Sequence, residues 1–179
     1  QKKFNFFLIG GDLSKSKNII ISSNFFGFVN KGKILKRSSS KLNEDIWITG
    51  YLGESSIGLK IKQNKIKVNN IFKKYFLKKY LFPIHSSIGD KINNLASSAI
   101  DISDGFYGDL ENLINEKKIG VSINSSLIPF SNKTKLLIKN KIVNINYLLS
   151  AGDDYELIFT AHSKKTSFIK RMAKNHNIK

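Results

Sequence analysis

The chain has 179 residues, enough to bury a core and to form one domain or one domain plus part of another. With 41% hydrophobic and 24% charged residues it reads as an ordinary globular chain, and the absence of cysteine excludes disulfides, thiolate metal sites and a cysteine nucleophile. The formal net charge of +17 invites a nucleic-acid reading, but Arg37 and Arg171 are the only arginines and the lysines are dispersed among Asn and Ile, as AT-rich coding also produces, so no nucleic-acid partner is expected.

In chain order, residues 4–9 form a strand-like run that ends in Gly10-Gly11-Asp12. The run is too short, and lacks the cleavage site, for a signal peptide; no stretch of about 18 apolar residues follows, so no membrane association and a cytoplasmic location are expected. The first residue is Gln1 and not Met, which suggests a segment of something longer. Residues 19–29, rich in β-branched and aromatic side chains, predict a second strand, and Ser38-Ser39-Ser40 a polar connection. A domain boundary is expected near residue 42, giving units of 1–42 and 43–179.

Beyond it the pattern predicts a strand at 45–50, a helix starting around 53–56, and a helix over 71–82 that Pro83 punctuates. A helix over 88–98, a short strand at 99–102 and a helix over 105–116 follow. A short strand at 121–123, helices at 135–138 and 144–150, a strand at 155–161 and a final helix over 163–175 capped by Ser163 complete the reading. Strands and helices mix irregularly, so the expected class is α+β, a mixed sheet with packed helices.

Three acidic clusters could carry chemistry. In Ala99-Ile100-Asp101-Ile102-Ser103-Asp104-Gly105, alternation puts Asp101 and Ser103 on one face, with Asp104 at the turn into a helix. Two carboxylates and a hydroxyl at such a corner suit a hard cation such as Mg2+, completed by water and phosphate oxygens, although a simple helix cap accounts for the same spacing. Gly10-Gly11-Asp12 would let backbone approach a phosphate, and is equally an ordinary turn. In Gly152-Asp153-Asp154-Tyr155-Glu156-Leu157 the adjacent carboxylates repel, so at least one must face solvent, a ligand or a cation. His85, His162 and His176 are isolated and show no metal-ligand spacing; neither a Ser-His-Asp pattern nor a phosphate-binding P-loop is present.

These three clusters, in this order, resemble the thiamine-monophosphate kinase family of the aminoimidazole-ribonucleotide synthetase superfamily. Ile9-Gly10-Gly11-Asp12 is similar to its Gly-Gly-Asp segment, and Arg37-Ser38 with Thr49-Gly50-Tyr51-Leu52-Gly53 to its arginine and Thr-Gly-x-x-Gly passage. Asp101 to Gly105, followed by Asp109-Leu110, is close to its Asp-x-Ser-Asp-Gly motif, and Gly152 to Leu157 to its Gly-Glu-Asp-Tyr-Glu-Leu motif. The resemblance implies that residues 1–42 end an N-terminal ATP-binding domain and that 43–179 form an incomplete C-terminal domain. It implies Asp12, Asp101 and Asp104 as Mg2+ ligands, Gly11, Arg37 and Ser103 as ATP contacts, and Asp153 near the thiamine phosphate.

The implied reaction is in-line transfer of the ATP γ-phosphoryl group to thiamine monophosphate, with a homodimer as the full-length form. The sequence departs from the family in having Asp153 where Glu is usual, Leu13-Ser14 after Gly-Gly-Asp, and His85 near a frequent arginine. The family's N-terminal part and far C-terminus are expected to be missing, and the chain alone is then expected to lack kinase activity. Another ATP-using member of the superfamily, or a basic nucleic-acid-binding module, are the alternatives; selenophosphate synthetase would usually bring a reactive cysteine or selenocysteine.

Overall fold

The computed structural model describes residues 6–84, 88–114, 118–176 and 178. Three strands, β1 (Glu44–Ile48), β2 (Ser98–Asp101) and β3 (Leu157–His162), form one sheet in the order β1-β3-β2. Both pairings are antiparallel, with Trp47 and Ala99 each opposite Phe159. The α+β class holds; among the described residues the sheet has no parallel pair.

Period-two alternation gives this sheet two apolar faces. Ile46, Ile48, Ile100 and Ile158 turn to one side, where they meet helices α1 (Glu54–Lys62), α2 (Asn70–Leu81), α4 (Phe106–Ile114), α5 (Asn132–Lys139) and α6 (Ile145–Ser150). Phe76, Ile57, Leu113 and Leu148 are fully enclosed there, and each such side chain stabilises the fold by about 1.5–3 kcal/mol. Trp47, Phe159 and Ala161 turn to the other side, against Ile92 of α3 (Gly89–Ile92) and Ile169 of α7 (Thr166–Asn175). Trp47 stacks on Phe159 with ring centres 6.4 Å apart. Because β3 is covered on both faces, its run of buried residues reads apolar almost throughout.

The helix starts follow side-chain capping. Asn69 accepts the Phe72 N–H ahead of α2, and Ser131 accepts the Thr134 N–H ahead of α5. Ahead of α7 a 3-10 turn (Ser163–Lys165) intervenes, and its cap is His162, whose Nδ1 accepts the Lys164 N–H, where Ser163 was expected.

Four expectations fail. The helix predicted over 88–98 stops at Ile92: the Asn93-Asn94 pair is a poor helix former, and the Ser97 N–H is taken by Thr160 of β3. No strand forms at 121–123. Residues 6–34 carry no regular secondary structure, so the strand expected at 19–29 is absent, as is that expected at 4–9 over its described residues 6–9, and Ile21, Phe25, Phe26 and Phe28 are exposed. Alternation and β-branching mark a segment fit for a sheet, but a strand exists only when a neighbour supplies its ladder. Among the described residues nothing pairs with this segment. The beginning of the run at 4–9, the end of the helix over 105–116, and His85 lie outside the described residues.

Candidate functional site

Strand β2 delivers the first cluster to the edge of the sheet. Ile102 is fully enclosed in the core, so alternation turns Asp101 and Ser103 outward; Asp101 and Asp104 are exposed and Ser103 half-buried. The chain then turns sharply at Gly105, with φ of +108°, into α4. A Cβ at this position would lie 2.7 Å from the Ser150 carbonyl, so the corner requires glycine. One turn into α4, the buried Asp109 reaches back. Its Oδ2 accepts the N–H of both Ser103 and Asp104, each at 2.9 Å.

The third cluster is fastened to the first. The Asp153 N–H donates to the Ser103 carbonyl at 3.0 Å, the Tyr155 N–H to the Ile102 carbonyl at 2.8 Å, and the Ile102 N–H to the Glu156 carbonyl at 2.8 Å. Gly152 permits this approach, since a Cβ there would sit 1.9 Å from the Ser103 carbonyl oxygen. Asp153 and Tyr155 take left-handed backbone, φ +67° and +51°, an arrangement that costs about 1–3 kcal/mol per residue and persists only where the surrounding structure enforces it.

The two adjacent carboxylates separate. Asp153 stays exposed and accepts the Tyr155 hydroxyl at 3.0 Å, which raises the tyrosine's own pKa. Asp154 turns inward and accepts the N–H of Gly53 at 2.6 Å and of Ser55 at 3.2 Å, capping the start of α1. Burial pushes its carboxyl up to about 7; the Gly53 and Ser55 N–H groups pull the other way, and Glu156 and Glu54 add to the rise.

A cleft of about 580 Å3 opens at this corner, lined by Arg37, Asp101, Ser103, Asp104, Asp109 and Asn112 among others. Arg37 belongs to a 3-10 turn (Arg37–Ser39) that packs against β2 and α4. Just after it, the buried Ser40 hydroxyl donates to the Leu113 carbonyl at 2.9 Å and pairs with the Ser98 hydroxyl at 2.7 Å. Four residues singled out from sequence, Arg37, Asp101, Ser103 and Asp104, thus line one cleft although 64 positions separate the first two. Asp153 lies one hydrogen bond from it. Gly11 and Asp12 do not line it; both are exposed, and a Cβ at Gly11 would meet nothing within 4 Å. Asp109 and Asn112 were not singled out as site residues, although a carboxylate one turn beyond a strand-to-helix corner is a signal for a group that reaches back.

The donor set fits Mg2+. Asp101, Asp104 and the Ser103 hydroxyl offer only hard oxygen donors, and among the described residues no three His, Cys, Asp or Glu side chains gather to hold an ion by themselves. Mg2+ keeps several waters and is commonly held by one or two carboxylates together with substrate phosphates.

No family model matches the chain. Against curated sequences it is 37% identical over 176 residues to thiamine-monophosphate kinase of Buchnera aphidicola subsp. Acyrthosiphon pisum, covering 96% of this chain and 53% of that one. Among solved structures it is similar to thiamine-monophosphate kinase from Stenotrophomonas maltophilia, with a TM-score of 0.72 and 23% identity over 84% of this chain and 49% of that one. It is also similar to AaThiL complexed with AMPPCP and TMP, with a TM-score of 0.64 and 27% identity over 73% of this chain and 43% of that one. The chain spans about half the length of the curated relatives it matches. On these similarities the chain belongs to the thiamine-monophosphate kinase family.

Proposed function

We propose that these residues supply part of the site at which a thiamine-monophosphate kinase makes thiamine diphosphate from ATP and thiamine monophosphate. The observation that carries the reading is the convergence of Arg37, Asp101, Ser103 and Asp104 on one cleft. The relative captured with AMPPCP and TMP supports it, since one is an ATP analogue and the other corresponds to the acceptor.

In this reading a phosphate oxygen of thiamine monophosphate attacks the γ-phosphorus of ATP in line. A new P–O–P linkage forms and the bond to the departing ADP breaks. The acceptor phosphate is largely ionised near neutral pH, its second pKa being about 6, so no general base is required. Arg37 would pair with a nucleotide phosphate through its two-pronged guanidinium, and the Ser103 hydroxyl would donate to another phosphate oxygen. Asp101 and Asp104 would hold Mg2+, which when bound neutralises charge on the phosphates. Gly11 and Asp12 would belong to the same site, as an ATP contact and a further Mg2+ ligand, once the segment before residue 42 is paired into an ATP-binding domain. Asp153, held outward by its left-handed backbone, would face the thiamine phosphate.

The reading carries with it a homodimeric full-length enzyme and a cytoplasmic location, with neither nucleic acid nor membrane as partner. Among the described residues no helix is long and apolar enough to cross a membrane. Assaying the full-length enzyme with ATP against thiamine monophosphate, selenide and the ribonucleotide substrate of aminoimidazole-ribonucleotide synthetase tests it. Turnover of thiamine monophosphate alone is expected, and a preference for either rival substrate would overturn the reading.

A further inference from the structure

Asp109 is a carboxylate only 2% exposed, set in the first turns of α4. Burying such a group is unfavourable unless hydrogen bonds satisfy it. The ordinary reason for an acidic side chain here is a capping box, in which it returns to one N–H at the helix start. Asp109 does more than that. One oxygen takes two successive N–H groups, those of Ser103 and Asp104, while the Ser103 carbonyl on the same stretch accepts the Asp153 N–H. The backbone between β2 and α4 is therefore gripped from the helix side by Asp109 and from the opposite side by the loop carrying Asp153.

We propose that Asp109 is a positioning residue that fixes the Ser103–Asp104 backbone so that the hydroxyl and carboxylate face a nucleotide phosphate and its cation, without being a cation ligand itself. The assignment rests on the kinase reading above. It extends that reading from the groups that touch the ligand to the one that holds them. Because both hydrogen bonds go to a single oxygen, an amide in place of the carboxylate can keep them, whereas an apolar side chain of similar size cannot. A cation ligand would show no such preference, since losing the charge alone would weaken binding and the amide would fail as the apolar side chain does.

The test uses the full-length enzyme as wild type, Asp109→Asn and Asp109→Leu. Calorimetric binding of Mg2+–AMPPCP, the KM for thiamine monophosphate, and backbone amide exchange over residues 102–105 are measured. The expected result is wild-type amides strongly protected at Ser103 and Asp104, and Asp109→Asn binding Mg2+–AMPPCP within about threefold of wild type. Asp109→Leu is expected to lose about tenfold or more, a discrimination of 1.4 kcal/mol or more, with a smaller rise in the thiamine monophosphate KM, since Asp153 is tied to the same Ser103 backbone. Unprotected Ser103 and Asp104 amides in the wild type would overturn the proposal even if Asp109→Leu does not fold. So would a folded Asp109→Leu that binds like wild type, or an Asp109→Asn as weak as Asp109→Leu. If wild type fails to bind Mg2+–AMPPCP while those amides are protected, the kinase reading falls and the contact made by Asp109 stands.

Discussion

The Asp154 carboxylate accepts the Gly53 N–H at 2.6 Å across 101 positions of sequence. This bond, with the one from Ser55, ties the 152–156 loop to the start of α1 and leaves Asp153 facing outward. Burial raises the Asp154 pKa from 3.8 to about 7 in the folded state. The folded protein therefore holds the proton more tightly than the unfolded chain does. Its stabilising effect is full below about pH 4 and is lost as pH rises through about 7. Thermal melts of wild type and Asp154→Asn between pH 5 and 8 check this: wild type should lose Tm relative to the variant as pH rises.

Gly152 is the contact point between the two loops of the site. An added methyl would meet the Ser103 carbonyl oxygen at 1.9 Å, a backbone atom that cannot swing aside as a flexible side chain could. Gly152→Ala should destabilise by about 1–3 kcal/mol, the usual range for overpacking. Urea denaturation measures it, and the same variant of the full-length enzyme should lose most of its activity, because the Ser103–Asp153 hydrogen bond has to lengthen.

A chain of hydroxyls lies behind Arg37. Ser40 pairs with Ser98, Ser98 with Thr160 at 2.8 Å, and Thr160 donates to Glu44 at 2.8 Å, which also accepts from Ser97. Ser40→Ala leaves the Leu113 carbonyl and the Ser98 hydroxyl without this partner, a loss of about 1–3 kcal/mol for buried groups. Chemical denaturation should show that loss. In the full-length enzyme the KM for ATP should rise more than that for thiamine monophosphate, because the turn carrying Arg37 is what Ser40 holds.

Much of this arrangement was legible in the sequence. Alternation in Ala99–Asp104 gave the outward Asp101 and Ser103, because the period of a strand is a local property. The Pro83 stop after α2 is local in the same sense. What could not be read was tertiary. Nothing in the sequence near Asp154 shows that its partners are Gly53 and Ser55, or that of two adjacent aspartates the second turns inward. The segment over 19–29 shows the opposite failure: its apolar pattern is that of a strand, yet no ladder forms without a neighbour. The resemblance to a family, and not spacing, was what drew Arg37 into the same site as Asp101.

The central claim is that the Asp101–Asp104 corner is where the cation and transferred phosphate meet. The measurement that tests it most directly is Mg2+-dependent formation of thiamine diphosphate by the full-length enzyme and its Asp101→Asn and Asp104→Asn variants. Each variant is expected to lose at least about 100-fold in kcat, roughly 2.7 kcal/mol of transition-state stabilisation, while its thermal melt stays near that of wild type. Undiminished activity in both folded variants would contradict the account.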